Sequence, residues 1–158
     1  MLDMLAGLVE GTAFALWAAR DPLAYPVANM VHLLGLVMLV GGIGLLDLRL
    51  AGAFRAIAVV PLAAAVTPVA VAGLLLLVAS GTVLFAADAA ALARSQTFSL
   101  KLVVLGLGLG NALLFRLWWQ KRLPAWDTDA PLTGRLMAMG SLLLWLGVAG
   151  LGRWIAYS

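Results

Sequence analysis

The sequence of 158 residues contains no cysteine, a single histidine and few charged side chains. The lack of cysteine excludes disulfides, thiol catalysis, iron–sulfur clusters and zinc–thiolate sites. The single histidine excludes a bis-histidine haem within one chain, and it leaves too few soft ligands for a divalent metal site. Charged residues make up only 11% of the chain, whereas soluble domains carry about 25%.

Apolar residues, by contrast, make up 65% of the sequence. A water-soluble fold of this size could not hide so much apolar surface, because its exterior must remain solvated. The sequence therefore predicts an integral membrane protein. The net charge of +3 does not indicate nucleic-acid binding, because the basic residues lie in loops between apolar segments, where membrane topology accounts for them.

Four apolar stretches are long enough to cross a bilayer, which requires roughly 20 residues per helix. They cover about residues 27–46, 62–87, 98–119 and 132–157. Helices are expected, because backbone groups in lipid must bond within their own segment and these stretches lack the alternation of strands. The predicted fold is an all-α, integral membrane four-helix bundle that forms a single domain over residues 1–158.

The segment before the first span has a different pattern. Asp3, Gly7 and Glu10 recur at helical spacing and form a polar stripe. This pattern predicts an amphipathic helix over about residues 2–19 that lies in the membrane interface, with a fifth, short transmembrane helix as the alternative. Residues 89–94 are expected to form a short surface helix between the second and third spans.

The distribution of lysine and arginine predicts the topology. The loops after the first and third spans hold six basic residues, and the opposite side holds four. Because lysine and arginine concentrate in cytoplasmic loops, both termini are expected to be periplasmic. The two sets are Arg49, Arg55, Arg116, Lys121, Arg122 and Arg135 on the inner side, and Arg20, Arg94, Lys101 and Arg153 on the outer side.

Polar residues from all four spans fall at one depth near the outer side. Because polar groups are costly in lipid, this convergence indicates a binding site. The alternatives are that the basic side chains reach out to lipid headgroups, that the hydroxyls bond their own helices, and that the imidazole bonds a neighbouring helix or water. The candidate residues are His32, Ser80, Thr82, Lys101 and Arg153.

Two cofactor classes suit this candidate site. His32 could be an axial ligand of haem b, and so a metal ligand only if haem is bound, or it could hydrogen-bond a quinone carbonyl. Lys101 or Arg153 would then meet a haem propionate or a semiquinone charge.

Two further patterns predict packing. Asp47 ends the first span, and it is expected to form an ion pair with Arg49 or Arg116 that fixes the helix ends. Gly106 and Gly110 have the spacing of a small-residue packing motif in the third span. We interpret this pair as packing within the bundle, with dimerisation as the alternative.

Short distinctive motifs are distributed over most of the chain. They are Tyr25-Pro26, His32-Leu33-Leu34-Gly35, Val40-Gly41-Gly42, Leu46-Asp47-Leu48-Arg49-Leu50, Ser80-Gly81, Leu84-Phe85, Phe98, Lys101-Leu102, Asn111-Ala112-Leu113, Phe115, Gly152-Arg153 and Ile155-Ala156-Tyr157. In this combination the chain resembles a family of small four-helix proteins of the bacterial inner membrane, distantly similar to b-type cytochromes and copper-resistance membrane proteins. The resemblance implies a fold and a location, and no particular activity. The histidine that follows Asn-x-x-x-Phe in that family is replaced by Arg116, and the histidine pairs of the cytochromes are missing.

Together these patterns favour a non-catalytic membrane subunit. It would anchor or flank a larger inner-membrane complex, a redox complex being one class, and hold haem, quinone or lipid near its outer side. Its expected partners are membrane lipids and other membrane subunits or a second copy of itself. The alternative is a small transporter or channel, which would need polar residues at several depths. No nucleophile, histidine and acid fall in one place, so hydrolytic catalysis is not expected.

Overall fold

The computed structural model describes residues 2–157, apart from the side chains at positions 3, 5 and 156. This part of the chain is helical and contains no strand. Three short helices are α1 (Leu2–Val9), α2 (Ala13–Arg20) and α5 (Ala89–Arg94), and the four long ones are α3 (Ala24–Ala51), α4 (Val59–Ala87), α6 (Gln96–Trp119) and α7 (Leu132–Trp154). Short 3-10 helices, Gln120–Ala125 and Ile155–Tyr157, follow α6 and α7.

Each long helix is long and apolar enough to cross a membrane. The chain is therefore a multi-pass membrane protein with the predicted all-α architecture. The first helix extends beyond the predicted 27–46 at both ends, and the last stops at Trp154 before its 3-10 turn. The extensions of α3 arise because hydropathy marks the apolar part of a helix, whereas hydrogen bonding continues into its polar ends.

The two ends of the bundle differ in charge. Helices α1, α2 and α5 and the 3-10 helix Ile155–Tyr157 lie at one end, here called the termini end, and connections 52–58 and 120–131 lie at the other, the loop end. Six basic and three acidic residues lie at the loop end, and four of each lie at the termini end. The whole net charge of +3 therefore belongs to the loop end.

The closest helix packing joins α3 to α4 through glycine. A Cβ built on Gly73 of α4 would lie 2.6 Å from the Leu39 nitrogen and 2.7 Å from the Gly35 oxygen. On the α3 side, a Cβ built on Gly42 would lie 3.0 Å from the Val66 oxygen. The two backbones are thus in direct contact, as small residues permit between membrane helices.

The third span, α6, is the least enclosed. It packs on α7, which in turn packs on α3, and its buried glycine is Gly108, which lies against the ring of Trp145. Gly106 and Gly110 have no neighbouring atom within 4 Å of a built Cβ. The interpretation of this pair as packing within the bundle is therefore wrong, because both glycines lie on the outward side of α6.

The predicted N-terminal helix over residues 2–19 is divided in two. Gly11 adopts a φ of +82°, a left-handed conformation that ends α1, and the Thr12 side chain caps α2 by accepting from the Ala15 N–H at 3.2 Å. A helix of 8 residues extends about 12 Å, which is too short to cross a core of about 30 Å. The alternative of a fifth transmembrane helix is thus wrong. Gly7 and Glu10 of the polar stripe are exposed, and the Asp3 side chain lies outside the described residues.

Both short helices pack on the termini end. In α1, Ala6 is buried against Ala89 and Ala93, so the expected short helix 89–94 is confirmed as a helix, α5, that contacts the N-terminal segment. In α2, Ala15 and Ala18 pack against the end of α4. The N-terminal segment is therefore attached to the bundle by a row of alanines.

The glycine contact between α3 and α4 gives a stability prediction. In Gly73→Ala the added Cβ meets backbone atoms, which cannot rotate away, so we expect a loss of about 1–3 kcal/mol. The measurement is unfolding of the purified protein in mixed micelles. The matched control is Gly106→Ala, whose Cβ meets open space. Its free energy of unfolding should equal that of the unaltered protein or be slightly higher. Equal stability of the two variants would contradict the packing described here.

Candidate functional site

The site at the termini end begins with a hydrogen bond between α3 and α4. His32 lies about one turn before Gly35, and Ser80 lies about two turns after Gly73. Because the two glycines bring the backbones together, the two polar side chains meet across the same interface, with His32 Nδ1 2.9 Å from Ser80 Oγ. His32 is half-buried and Ser80 is buried. The structure therefore unites two of the five predicted site residues directly.

The direction of this bond follows from the second bond of the serine. The Ser80 hydroxyl donates to the Leu76 carbonyl at 2.6 Å, which commits its only proton. Ser80 Oγ then accepts from His32 Nδ1–H. A neutral imidazole carries one proton, so Nε2 keeps a free lone pair. The ring is oriented by the protein through one nitrogen and available to a ligand through the other.

Lys101 of α6 adds a half-buried cation at the same end of the bundle. Its Nζ would lie 3.4 Å from a Cβ built on Gly152 of α7. No carboxylate pairs with Lys101 among the described side chains. His32 and Lys101 are thus both half-buried at the termini end, and neither forms an ion pair with a described carboxylate. An electron-rich ligand would compensate the charge of Lys101.

Two phenylalanines lie further towards the termini end than the polar groups. Phe85 lies about one turn beyond Gly81, and Phe98 lies about one turn before Lys101. Their rings stack with centroids 5.7 Å apart and an interplanar angle of 16°. This pair joins α4 to α6, and Phe85 also packs against Ala6, Ala89 and Ala93.

The other two predicted site residues are not part of this group. Thr82 is exposed, and its hydroxyl donates to the Val78 carbonyl of its own helix at 2.8 Å. Arg153 is also exposed, and its guanidinium bonds the Tyr157 hydroxyl at 2.6 Å and lies over the Tyr157 ring. Both lie at the expected end of the bundle. Their side chains point away from the interior, so the structure supports a site of three residues rather than five.

At the loop end the predicted ion pair has different partners. Arg49 is buried, and its Nη2 contacts Asp127 Oδ1 at 2.6 Å, while its Nε donates to the Ile57 carbonyl at 2.5 Å. Asp127 also accepts from the Val59 N–H with both oxygens at 3.3 Å. The Asp127 carboxylate therefore neutralises the Arg49 guanidinium near the end of α3, and it caps the first turn of α4.

Asp47 and Arg116 take no part in that pair. Residues two positions apart point to different sides of a helix, so Asp47 cannot face Arg49. Its buried carboxyl group interacts with Ser141 of α7, and its Oδ2 has no hydrogen-bond partner among the described residues. Arg116 is exposed on α6. The predicted pairing of Asp47 with Arg49 or Arg116 is therefore replaced by Arg49 with Asp127.

The residues that the sequence analysis missed lie in the connection between α6 and α7. Trp126 is buried there, and its indole N–H donates to the Leu50 carbonyl at 3.1 Å. Asp127 follows it, and Asp129 is a similar acid two positions later. An acidic pair within a basic loop was a signal for an ion pair, but nothing in the sequence distinguishes Asp127 from Asp129.

Comparison with known proteins gives no further guide to the site, because no family model, curated protein or solved structure matches the chain. The chemistry of the site therefore rests on its geometry. The lone pair on the fixed imidazole and the ammonium of Lys101, which no described carboxylate pairs with, can each bind a polar group of a ligand. The described residues contain no cluster of three metal ligands.

The His32–Ser80 bond gives a spectroscopic prediction. At a pH where the ring is neutral, nitrogen NMR of the labelled protein should show a protonated Nδ1 and a bare Nε2, and the single histidine gives one set of signals. In Ser80→Ala the acceptor is lost, so the signals should shift towards a mixture of tautomers. Thr82→Val is the matched control and should leave them unchanged. A wild-type ring protonated at Nε2 would contradict the assigned bond direction.

The Arg49–Asp127 pair gives a stability prediction. Asp127→Ala leaves a buried guanidinium without its anion and α4 without its cap. We expect a loss of about 1–3 kcal/mol, less than the 3–5 kcal/mol of a fully buried pair, because the Asp127 side chain is 39% exposed. The measurement is again unfolding in mixed micelles. Asp129→Ala, at an exposed neighbouring acid, should change stability by less than about 0.5 kcal/mol, and a similar loss in both variants would refute this role.

Proposed function

We propose that this chain is a non-catalytic subunit of the bacterial inner membrane, with both termini periplasmic. It anchors or flanks a larger membrane complex and holds an amphiphilic ligand at the termini end. The observation that carries the proposal is the fixed imidazole of His32 at the same end of the bundle as Lys101, whose ammonium pairs with no described carboxylate. Polar groups of this kind are costly in a membrane bundle unless they bind something.

The geometry favours a quinone among the ligand classes considered. A quinone headgroup is flat and carries two oxygens, which suits the stacked rings of Phe85 and Phe98. Lys101 can donate to one carbonyl oxygen, and the free lone pair of His32 Nε2 can accept from a hydroxyl of the reduced form. Both bonds would form near the end of the bundle, where a long apolar tail can remain in lipid.

Haem fits the same residues less completely. His32 Nε2 is a suitable single axial ligand, because Ser80 holds the opposite nitrogen as in many metal sites, and Lys101 suits a propionate. A bound haem would supply electron transfer. The chain has no second histidine, so ligation by two histidines would need a residue of a partner subunit.

The test is purification from native membranes in mild detergent, followed by partner identification, a visible spectrum and extraction of bound quinone and lipid. We expect at least one further membrane protein and a near-stoichiometric quinone. Lys101→Met should reduce quinone retention about tenfold or more, the loss typical of a hydrogen bond to a charged group. Arg153→Gln, at an exposed cation of the same end, is the control and should retain it. A chain that purifies alone, without quinone, haem or lipid, would sink the proposal.

The second candidate, a small transporter or channel, rests on Asp47. A carboxyl group buried between spans, with one oxygen unpartnered, is typical of ion and proton pathways in membranes. Flux of protons or small cations into liposomes tests it. Flux that disappears in Asp47→Asn, with Asp129→Asn as the control, would favour transport over the role of a ligand-holding subunit.

A further inference from the structure

A polar pocket lies at the loop end, outside the site described above. It is a cavity of about 140 Å³ between the end of α3, the start of α7 and the connection that precedes α7. Its lining includes three arginines and one acid, Arg49, Arg55, Arg135 and Asp127, with Trp126 beside them. Three guanidinium groups around one small cavity are unusual in a chain with so few charges.

The acid does not neutralise the pocket, because it is already paired. Asp127 is bound to Arg49 and to the first turn of α4. Arg55 is exposed, and its Nε bonds the Gly52 carbonyl at 3.2 Å, while its terminal nitrogens bond no described residue. Arg135 makes no side-chain hydrogen bond with the described residues, and its Nε is buried without a partner. The pocket therefore retains about two uncompensated positive charges.

The start of α7 adds to this positive field. Arg135 lies in the first turn of α7, a helix of 23 residues whose N-terminus has no side-chain cap. Free N–H groups and the helix dipole favour an anion at such a terminus. This feature alone would not define a site. Here it coincides with the buried, unpartnered Nε of Arg135 and with the cavity itself.

We propose that this pocket binds a phosphate group, supplied by the headgroup of an anionic phospholipid. Guanidinium groups match phosphate oxygens in paired hydrogen bonds. The pocket lies where α3 ends and α7 begins, which is the depth of lipid headgroups, and basic pockets between spans at this depth are a recurring form of phospholipid site. The proposal is independent of the site at the termini end, and either can fail without the other.

The experiment compares lipid retention by native mass spectrometry of the full chain, reconstituted with phosphatidylglycerol or with phosphatidylcholine and then transferred to mild detergent. We expect one retained phosphatidylglycerol and no retained phosphatidylcholine. Arg135→Gln and Arg55→Gln should each lower the retention of phosphatidylglycerol about tenfold or more. Arg116→Gln removes the same charge from the same end, outside the pocket, and should retain the lipid as the unaltered protein does.

Two controls keep the result interpretable. Thermal unfolding without added lipid shows whether each variant is folded, and Arg55 is exposed, so its variant remains informative if Arg135→Gln fails to fold. Inorganic phosphate is titrated into lipid-free micelles in a second arm. Saturable phosphate binding that requires Arg135, without lipid retention, would keep the site and assign it to a soluble phosphate. Unchanged retention in both pocket variants, or an equal loss in Arg116→Gln, would overturn the proposal.

Discussion

The direct contact between the backbones of α3 and α4 determines most of what this bundle can do. Gly35 and Gly73 leave no room for a side chain between them, so the two helices approach as closely as their backbones allow. That approach places His32 within hydrogen-bonding distance of Ser80, and it brings the loop ends of the same helices close to Asp127. A wider separation would break the imidazole–hydroxyl bond before it disturbed the apolar packing, because a hydrogen bond weakens steeply with distance and angle.

The two ends of the bundle use polar residues differently. At the loop end, Arg49 is bound by Asp127 and by two backbone carbonyls, so most of its hydrogen-bonding capacity is used within the fold. At the termini end, Lys101 pairs with no described carboxylate and His32 keeps one nitrogen free. Buried polar groups that satisfy one another stabilise a fold, whereas those left unsatisfied indicate a ligand. Arg135, with its unpartnered Nε, and Asp47, with its unpartnered Oδ2, are exceptions among the described residues of the loop end.

The position of a residue in the sequence indicates its depth along a span, but not the side of the helix on which it lies. Rise per residue fixes how far along a span a side chain lies, so the expectation of equal depth for His32 and Ser80 agrees with the hydrogen bond between them. The side of the helix on which a residue lies is decided by packing. These spans are apolar on all sides, and no polar stripe marks the inward face, so Thr82 and Arg153 could not be recognised as outward-facing. The partner of Arg49 could not be predicted for another reason. Asp127 is distant from Arg49 in sequence and lies in the connection between α6 and α7.

The loose attachment of α6 links ligand binding to assembly. Helices α3, α4 and α7 share close contacts, whereas α6 is joined mainly to α7 and approaches α4 through Phe98. Lys101 lies on α6, and His32 lies on α3. A molecule bound to both residues would link α6 to the other helices across the most loosely packed boundary of the bundle. Ligand binding would then stabilise α6 against dissociation from the other helices. The fraction of fully assembled protein would therefore rise with ligand concentration.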